Sequence, residues 1–159
     1  MIKTFSSKET QKIAVLLARE ILKQKNPFFK KQALILLLSG DLGAGKTTFI
    51  QGFLRGLRVR KKITSPTFVL FKRFKIKDLR FKNIYHIDCY RIHELKDIQD
   101  IGIKEILNNP QNIVLIEWPE RIKRILPKNA IIIKLKYGKK ENERNIILGS
   151  RKQEIVTGN

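Results

Sequence analysis

The sequence predicts an α/β fold in which helices cover both faces of a central, mixed and largely parallel sheet. Short apolar runs alternate with longer segments in which apolar residues recur at helical spacing. Residues 33–38 and 112–117 are dominated by consecutive apolar side chains, which is typical of strands buried on both faces. Two further pairs of strands follow each other without an intervening helix, so we expect antiparallel pairing in the middle and at the end of the chain.

The first half of the chain predicts two helices around one strand. Ser6 and Glu9 have capping-box spacing, and apolar residues at helical spacing follow them, so residues 6–24 are expected to form a helix. Residues 33–38 are the first buried strand. Residues 46–57 form a second amphipathic helix, whose two glycines weaken it or allow close packing.

The second half predicts a hairpin, two helices and three strands. The expected elements, in order, are a basic hairpin of residues 67–74 and 83–89, a helix over 95–107, a strand over 112–117, a short helix with proline in its first turn over 119–126, and strands over 130–137 and 144–148.

The chain has 159 residues and a mass of 18.6 kDa, which indicates a single domain over residues 1–159. Its longest apolar run has six residues and its first residues carry no apolar stretch, so we expect neither a membrane segment nor a signal peptide. A single cysteine, Cys89, leaves no disulfide partner within the chain. These observations predict a cytoplasmic protein.

Charge is the most unusual feature of the composition. Lysine and arginine number 34 against 14 acidic residues, which gives a formal net charge of +20. Such an excess favours polyanionic partners, namely nucleotides, RNA, DNA or acidic protein surfaces, without choosing among them. The charge is densest over residues 58–82, where ten basic residues face one acidic residue, Asp78.

Residues 40–47 read Gly-Asp-Leu-Gly-Ala-Gly-Lys-Thr, which matches the phosphate-binding pattern G-x-x-x-x-G-K-[ST] between a buried strand and a helix. Glycines let backbone N–H groups curl around phosphate oxygens, and the helix N-terminus adds positive potential. The pattern predicts that Lys46 contacts the β- and γ-phosphates and that Thr47 ligates Mg²⁺. Guanine-reading motifs are missing, which favours adenine nucleotides, ATP or ADP, or a loose selectivity for the base. The expected nucleotide-binding residues of this segment are Asp41, Gly43, Ala44, Gly45, Lys46, Thr47 and Thr48.

A magnesium-bound phosphate site needs a second acidic anchor at the end of a strand beside the loop. Glu117 ends one apolar strand and Asp88 ends another, so both are candidates. His86 and His93 form no ligand cluster and are expected to be packing or surface residues. Cys89 is expected to be a small buried side chain.

Four motifs together resemble the TsaE (YjeE) family, the ATPases of bacterial tRNA threonylcarbamoyladenosine biosynthesis. They are Gly-Asp-Leu-Gly-Ala-Gly-Lys-Thr-Thr at 40–48, Thr-Ser-Pro-Thr-Phe at 64–68, His-Ile-Asp-Cys-Tyr-Arg at 86–91 and Ile-Glu-Trp-Pro-Glu-Arg at 116–121. The resemblance covers residues 6–127. The segment 71–77 is more basic than the family pattern, so docking on the partners or on tRNA is expected to differ in detail.

The resemblance implies a three-layer P-loop NTPase-type domain that hydrolyses ATP with Mg²⁺. It also implies a partnership with TsaB and TsaD, which install threonylcarbamoyl on the adenosine next to the anticodon. Contact with tRNA would be made through that complex. The implied roles are phosphate contact for Lys46, Mg²⁺ binding for Thr47 and Glu117, approach to the γ-phosphate for Thr67 in a switch-like segment, hydrolysis for Asp88, and positions near the nucleotide for Trp118 and near the adenine for Thr10.

Two alternatives come from other functional classes. A small-molecule P-loop kinase would use the basic segment 58–82 as a lid over an acceptor. A basic nucleic-acid-binding protein with a structural P-loop would stack bases on Phe68, Phe71 and Phe74. Because alternate residues of a strand share a face, phenylalanines three apart do not form one continuous platform.

Overall fold

The computed structural model describes residues 1–24, 31–59, 71–78, 80–92 and 94–151. The described strands are β1 (Ile2–Thr4), β2 (Leu34–Ser39), β3 (Phe71–Lys75), β4 (Asn83–Asp88), β5 (Asn112–Glu117), β6 (Ile131–Tyr137) and β7 (Arg144–Ser150). The described helices are α1 (Ser7–Lys23), α2 (Lys46–Gly56), α3 (Lys96–Gln99), α4 (Ile103–Asn108) and a 3-10 helix over Pro119–Ile125.

These strands form one mixed sheet in the order β1-β7-β6-β2-β5-β4-β3. The four central strands, β6, β2, β5 and β4, are parallel, whereas β3, β7 and β1 join the edges antiparallel. The carboxyl ends of β2, β4 and β5 therefore meet at one edge of the sheet, which is where open parallel sheets bind ligands. The predicted mixed sheet with a parallel centre is confirmed.

Apolar layers cover both faces of the sheet. Alternate residues of β2 point to opposite sides, so that Leu36 packs under α1 and α2 while Ile35 and Leu37 pack under α3, α4 and the 3-10 helix. The central strands are buried because each face meets a helical layer. This arrangement confirms the three-layer architecture and fixes which strand ends face α2.

Helices α1 and α2 pack closely because small residues line their contact. Ala14 and Ala18 of α1 are fully buried, and a Cβ added to Gly52 of α2 would lie 2.4 Å from the carbonyl oxygen of Gln11. The close packing expected of the α2 glycines is therefore present. It seats the first turn of α2 against the sheet edge that carries the strand ends.

Replacing Gly52 with alanine is expected to lower the free energy of unfolding by about 1–3 kcal/mol, because the added Cβ overpacks a contact with backbone atoms. Helix propensity alone favours alanine by about 1 kcal/mol, so a measured loss isolates the steric effect. Gly149→Ala is the matched control, since a Cβ there meets nothing within 4 Å. Urea unfolding of both variants measures the difference; equal stability of Gly52→Ala and the parent would contradict the packing argument.

Several expectations from the sequence need correction. The helix expected over 95–107 is two short helices, because Gly102 adopts a left-handed φ of 70° between them. The short helix after Glu117 is 3-10 and is interrupted at Ile122, whose φ is −125°. Strand β1 was not expected, since three residues carry no readable period; it pairs with β7.

Helix α1 begins one residue after its predicted N-cap. The Ser6 hydroxyl accepts from the Glu9 N–H at 3.2 Å, and the Glu9 carboxylate accepts from the N–H of Phe5 at 2.8 Å. The hairpin of β3 and β4 is confirmed over the described part, while residues 67–70 of its predicted first strand lie outside the described residues. No helix in the described ranges is long and apolar enough to cross a membrane.

Candidate functional site

The glycine-rich loop connects β2 to α2 at the edge where the central strands end. Gly40, Gly43 and Gly45 have φ values of 136°, 76° and 100°, a region that side chains disfavour. At Gly40 an added Cβ would lie 2.1 Å from the carbonyl oxygen of Leu135, so the neighbouring strand β6 also excludes a side chain there. The sequence pattern therefore has a steric basis in the fold.

Lys46 is the first residue of α2, and its side chain folds back over the loop. The ammonium donates to the carbonyl oxygens of Gly40 at 2.7 Å and Asp41 at 2.9 Å. It also lies 3.8 Å from the ring centroid of Trp118, a cation–π contact. Burial lowers the pKa of Lys46 below its ordinary value, an effect that nearby carboxylates, first that of Glu117, oppose. The cation is thus held inside the loop that the sequence predicts to bind phosphate.

Thr47 and Glu117 meet although 70 residues separate them in the sequence. The Thr47 hydroxyl lies 3.1 Å and 3.2 Å from the two carboxylate oxygens of Glu117 and can donate to either of them. Glu117 ends β5 beside β2, and its exposed fraction is 2%. The fold therefore brings together the two residues expected to hold Mg²⁺.

His86 completes a chain of hydrogen bonds with Glu117 and Thr47. Its Nε2 lies 2.8 Å from Glu117 Oε1, and its exposed fraction is 0%. Since a carboxylate accepts, Nε2 carries the proton and donates. Nδ1 is buried without a hydrogen-bond partner among the described residues. The expectation of a packing or surface role for His86 is therefore incomplete, because the imidazole orients the carboxylate.

Asp88 ends β4 and stands directly opposite Glu117 in the parallel register of β4 and β5. Its Oδ1 accepts the backbone N–H of Tyr90 at 3.1 Å, and its side chain is half-buried. Asp88 and His86 are two residues apart on one strand, so they share the face that α2 covers. Both candidate acidic anchors thus lie at the same edge of the sheet.

Trp118 closes the loop from the side of β5. Its φ is 56°, an uncommon conformation for a residue other than glycine. Its backbone N–H donates to the Leu38 carbonyl at 3.2 Å. The indole packs against Tyr90 with ring centroids 5.1 Å apart. This backbone turn brings the aromatic ring over the Lys46 ammonium.

Two residues of the last strands, Tyr137 and Arg144, support the loop although they belong to none of the sequence motifs. The Tyr137 hydroxyl donates to the Leu42 carbonyl at 2.7 Å, and an Arg144 guanidinium nitrogen lies 3.5 Å from the Gly43 carbonyl oxygen. The guanidinium carbon of Arg144 lies 4.4 Å from the Tyr137 ring centroid. Finding them requires the register of β6 and β7, which no local motif reveals.

The remaining expected site residues are less closely assembled. Thr10 is buried and shares a 2.8 Å hydrogen bond with the hydroxyl of Thr4, which β1 pairs with Arg144. Thr48 is half-buried in the first turn of α2. Thr67, the whole motif at 64–68 and His93 lie outside the described residues.

The oxygen atoms that Thr47 and Glu117 place together are of the kind that suits Mg²⁺. A hydroxyl and a carboxylate at hydrogen-bond distance match the one or two protein ligands that magnesium takes when phosphates and water supply the others. In the described ranges no group of three or more His, Cys, Asp or Glu side chains could hold a metal by itself. Burial raises the pKa of the Cys89 thiol to about 12, which makes it a poor nucleophile.

Comparisons with known proteins give one consistent family. The family profile described as "Threonylcarbamoyl adenosine biosynthesis protein TsaE" matches residues 4–146, which extends the resemblance beyond residue 127. Proteins named tRNA threonylcarbamoyladenosine biosynthesis protein TsaE are 37% identical over 118 residues in Haemophilus influenzae and 36% identical over 134 residues in Bacillus subtilis. These alignments cover 74% and 84% of this chain, and 71% and 75% of those proteins.

A solved structure has the same fold. The crystal structure of YdiB from Bacillus subtilis superposes with a TM-score of 0.70 at 28% sequence identity, and the match covers 99% of this chain and 90% of that one.

Proposed function

The chain belongs to the TsaE family, and from this we propose that it is the ATP-binding and ATP-hydrolysing subunit required for tRNA threonylcarbamoyladenosine modification. The observation that carries the ATPase proposal is the contact of Thr47 with Glu117 beside the Lys46 ammonium. It joins a hydroxyl, a carboxylate and a cation at the mouth of a loop whose backbone suits phosphate. We propose that the protein acts in the cytoplasm as a single domain.

Binding follows from the groups that line the loop. The N–H groups of Gly43, Ala44 and Gly45 and the start of α2 favour the phosphates of ATP or ADP. Phosphate oxygens replace the loop carbonyls as acceptors for Lys46, and its low degree of exposure strengthens that charge-assisted contact. Asp41 and Thr48 flank the same phosphates. The Trp118 ring and Thr10 are proposed to border the nucleotide beyond the phosphates.

Hydrolysis needs a metal site and an oriented water. Thr47 and Glu117 are proposed to hold Mg²⁺, which when bound neutralises charge that develops on the phosphates. The His86 N–H keeps the Glu117 carboxylate turned toward Thr47. Asp88 stands beside Glu117 and accepts a hydrogen bond from the attacking water, while Thr67 is proposed to approach the γ-phosphate.

We propose TsaB and TsaD as partner proteins, with threonylcarbamoyl transfer to the adenosine next to the anticodon belonging to TsaD. ATP hydrolysis by this chain then drives turnover of the complex. The test is the rate of phosphate release by the purified protein alone and with TsaB and TsaD from the same source. Weak activity that rises with the partners is expected. ATP binding with no change of rate on adding the partners would contradict the complex-dependent role.

A further inference from the structure

A second candidate site lies at the end of α2 opposite the loop. An open cavity of about 920 Å³ is formed where α1, α2 and the segment after β3 come together. Since α2 has 11 residues and a helix rises about 1.5 Å per residue, the cavity is roughly 15 Å from the loop. We call it the basic cavity, because its lining contains Arg19, Lys23, Arg55, Arg58, Lys75 and Lys77.

Few of these cations are neutralised by described neighbours. Lys23 pairs with Glu20 at 2.6 Å, and Arg55 donates to the Gln11 side-chain oxygen at 3.2 Å. Asp78, the acid among the described lining residues, is engaged by Arg80 through an ion pair at 3.8 Å. Within the described part of the chain, no ion pair or hydrogen bond of a side chain is found for four of the six, Arg19, Arg58, Lys75 and Lys77.

Helix C-termini account for only part of these charges. Lys23 lies in the last turn of α1 and Arg55 in the last turn of α2, where cations are favoured. The last carbonyls of α1 are instead bonded by Arg80, whose guanidinium donates to Leu22 at 2.7 Å and Ile21 at 3.3 Å. The basic cavity therefore concentrates positive charge beyond what the helix ends use. Unpaired cations that converge on a concave surface attract an anion with several charges.

Arg58 is held in a strained conformation at the wall of the cavity. Helix α2 ends in a Schellman motif, in which the Val59 N–H donates to Leu54 and the Arg58 N–H donates to Arg55, both at 3.0 Å. The left-handed position of this motif usually carries glycine, but here Arg58 occupies it with a φ of 63°. The fold thus tolerates backbone strain at Arg58, and the strained conformation places the guanidinium in the cavity wall.

We propose that the basic cavity binds the phosphate backbone of tRNA. The choice of tRNA rests on the proposed function, whereas the preference for phosphate rests on the clustered cations. Arginine and lysine on three different elements suit closely spaced phosphates. Base stacking plays little part, because Phe74 is buried in the core and Phe71 packs against Tyr85. The recognition is electrostatic and independent of sequence.

The first test compares two double variants of equal charge by fluorescence anisotropy with labelled unmodified tRNA. Lys75→Gln with Lys77→Gln removes two unpaired cavity cations, whereas Lys104→Gln with Lys128→Gln removes two exposed lysines outside it. We expect the cavity pair to raise the Kd about tenfold and to reduce the salt slope by about 1–2. The control pair is expected to change the Kd by less than about twofold. Equal weakening by both pairs would overturn the proposal, since the charge would then act as diffuse surface.

The second test uses Arg58→Gly, which separates binding from stability. Glycine relieves the left-handed strain, so the midpoint of thermal unfolding is expected to stay or rise while tRNA affinity falls. A fall in stability with unchanged tRNA affinity would overturn the proposal and leave Arg58 a structural residue.

Two further measurements distinguish tRNA from an acidic protein as the ligand, and distinguish failure of this proposal from failure of the proposed ATPase function. Polyglutamate is the probe for an acidic protein surface; if it binds the parent protein in a cavity-dependent way and tRNA does not, the proposal is wrong. ATP hydrolysis is expected to be unchanged in the Lys75 and Lys77 pair, because the cavity is distant from the loop. Loss of tRNA binding with intact hydrolysis in this double variant therefore supports tRNA binding by the basic cavity. If the parent protein does not hydrolyse ATP, the ATPase proposal is refuted, and the anisotropy measurements alone decide whether the cavity binds tRNA.

Discussion

Glu117→Gln is expected to lower magnesium-dependent ATP hydrolysis by about 100-fold or more, since metal stabilisation of phosphate charge contributes several kcal/mol to lowering the barrier. Glutamine keeps the volume of the side chain and can still bond to His86 and Thr47, so the buried environment is preserved. What it loses is the negative charge that holds a divalent cation. Steady-state phosphate release over a range of Mg²⁺ concentrations, with TsaB and TsaD present, measures the effect.

Three controls distinguish the loss of the metal-binding charge from a general charge effect, from unfolding, and from metal binding by Asp88. Glu105→Gln removes an exposed carboxylate from α4 and is expected to leave the rate unchanged. Thermal unfolding of Glu117→Gln is expected to remain cooperative. Asp88→Asn decides between the two anchors: if it abolishes the magnesium dependence while Glu117→Gln retains it, Asp88 is the metal ligand and the assignment of Glu117 is wrong.

The sequence is most informative where a function depends on neighbours along the chain. The loop at 40–47 and the strand ending in Glu117 each fall within a few residues, so composition and period predict their local structure. Their meeting also follows, because parallel strands of one sheet end at the same edge. The parallel pairing of β2 with β5 brings Leu38 opposite Glu117 and thereby sets Glu117 beside the start of α2.

What the sequence does not reveal depends on distant register and on backbone conformation. The contact of His86 with Glu117 requires β4 to pair with β5 in one register, and a shift of one residue would turn the imidazole to the other face. The left-handed φ of Trp118 and Arg58 cannot be predicted from the sequence either, since neither residue type favours this conformation. The break at Gly102 is easier to predict from the sequence, because an isolated glycine weakens a helix.

Lys46→Met is expected to raise the Kd for ATP in the presence of Mg²⁺ by about 10- to 150-fold, since a hydrogen bond to a charged group contributes about 1.5–3 kcal/mol. Methionine is unbranched like lysine and can keep apolar contact with Trp118, but it cannot donate to phosphate. Isothermal titration calorimetry measures the affinity directly and does not depend on hydrolysis.

The structure also indicates why this loss is specific to binding. Among the described residues, the Lys46 ammonium donates hydrogen bonds only to carbonyls of its own loop. Burial lowers the pKa of Lys46 although the Glu117 carboxylate opposes this, so the contacts of the cation with the rest of the fold are few. Removing it is therefore expected to leave thermal stability close to that of the parent protein. Lys104→Met, an exposed lysine on α4, is the matched control and is expected to bind ATP unchanged. An unaltered Kd in Lys46→Met would show that the loop does not bind the phosphates of ATP through this lysine, and would refute its proposed role.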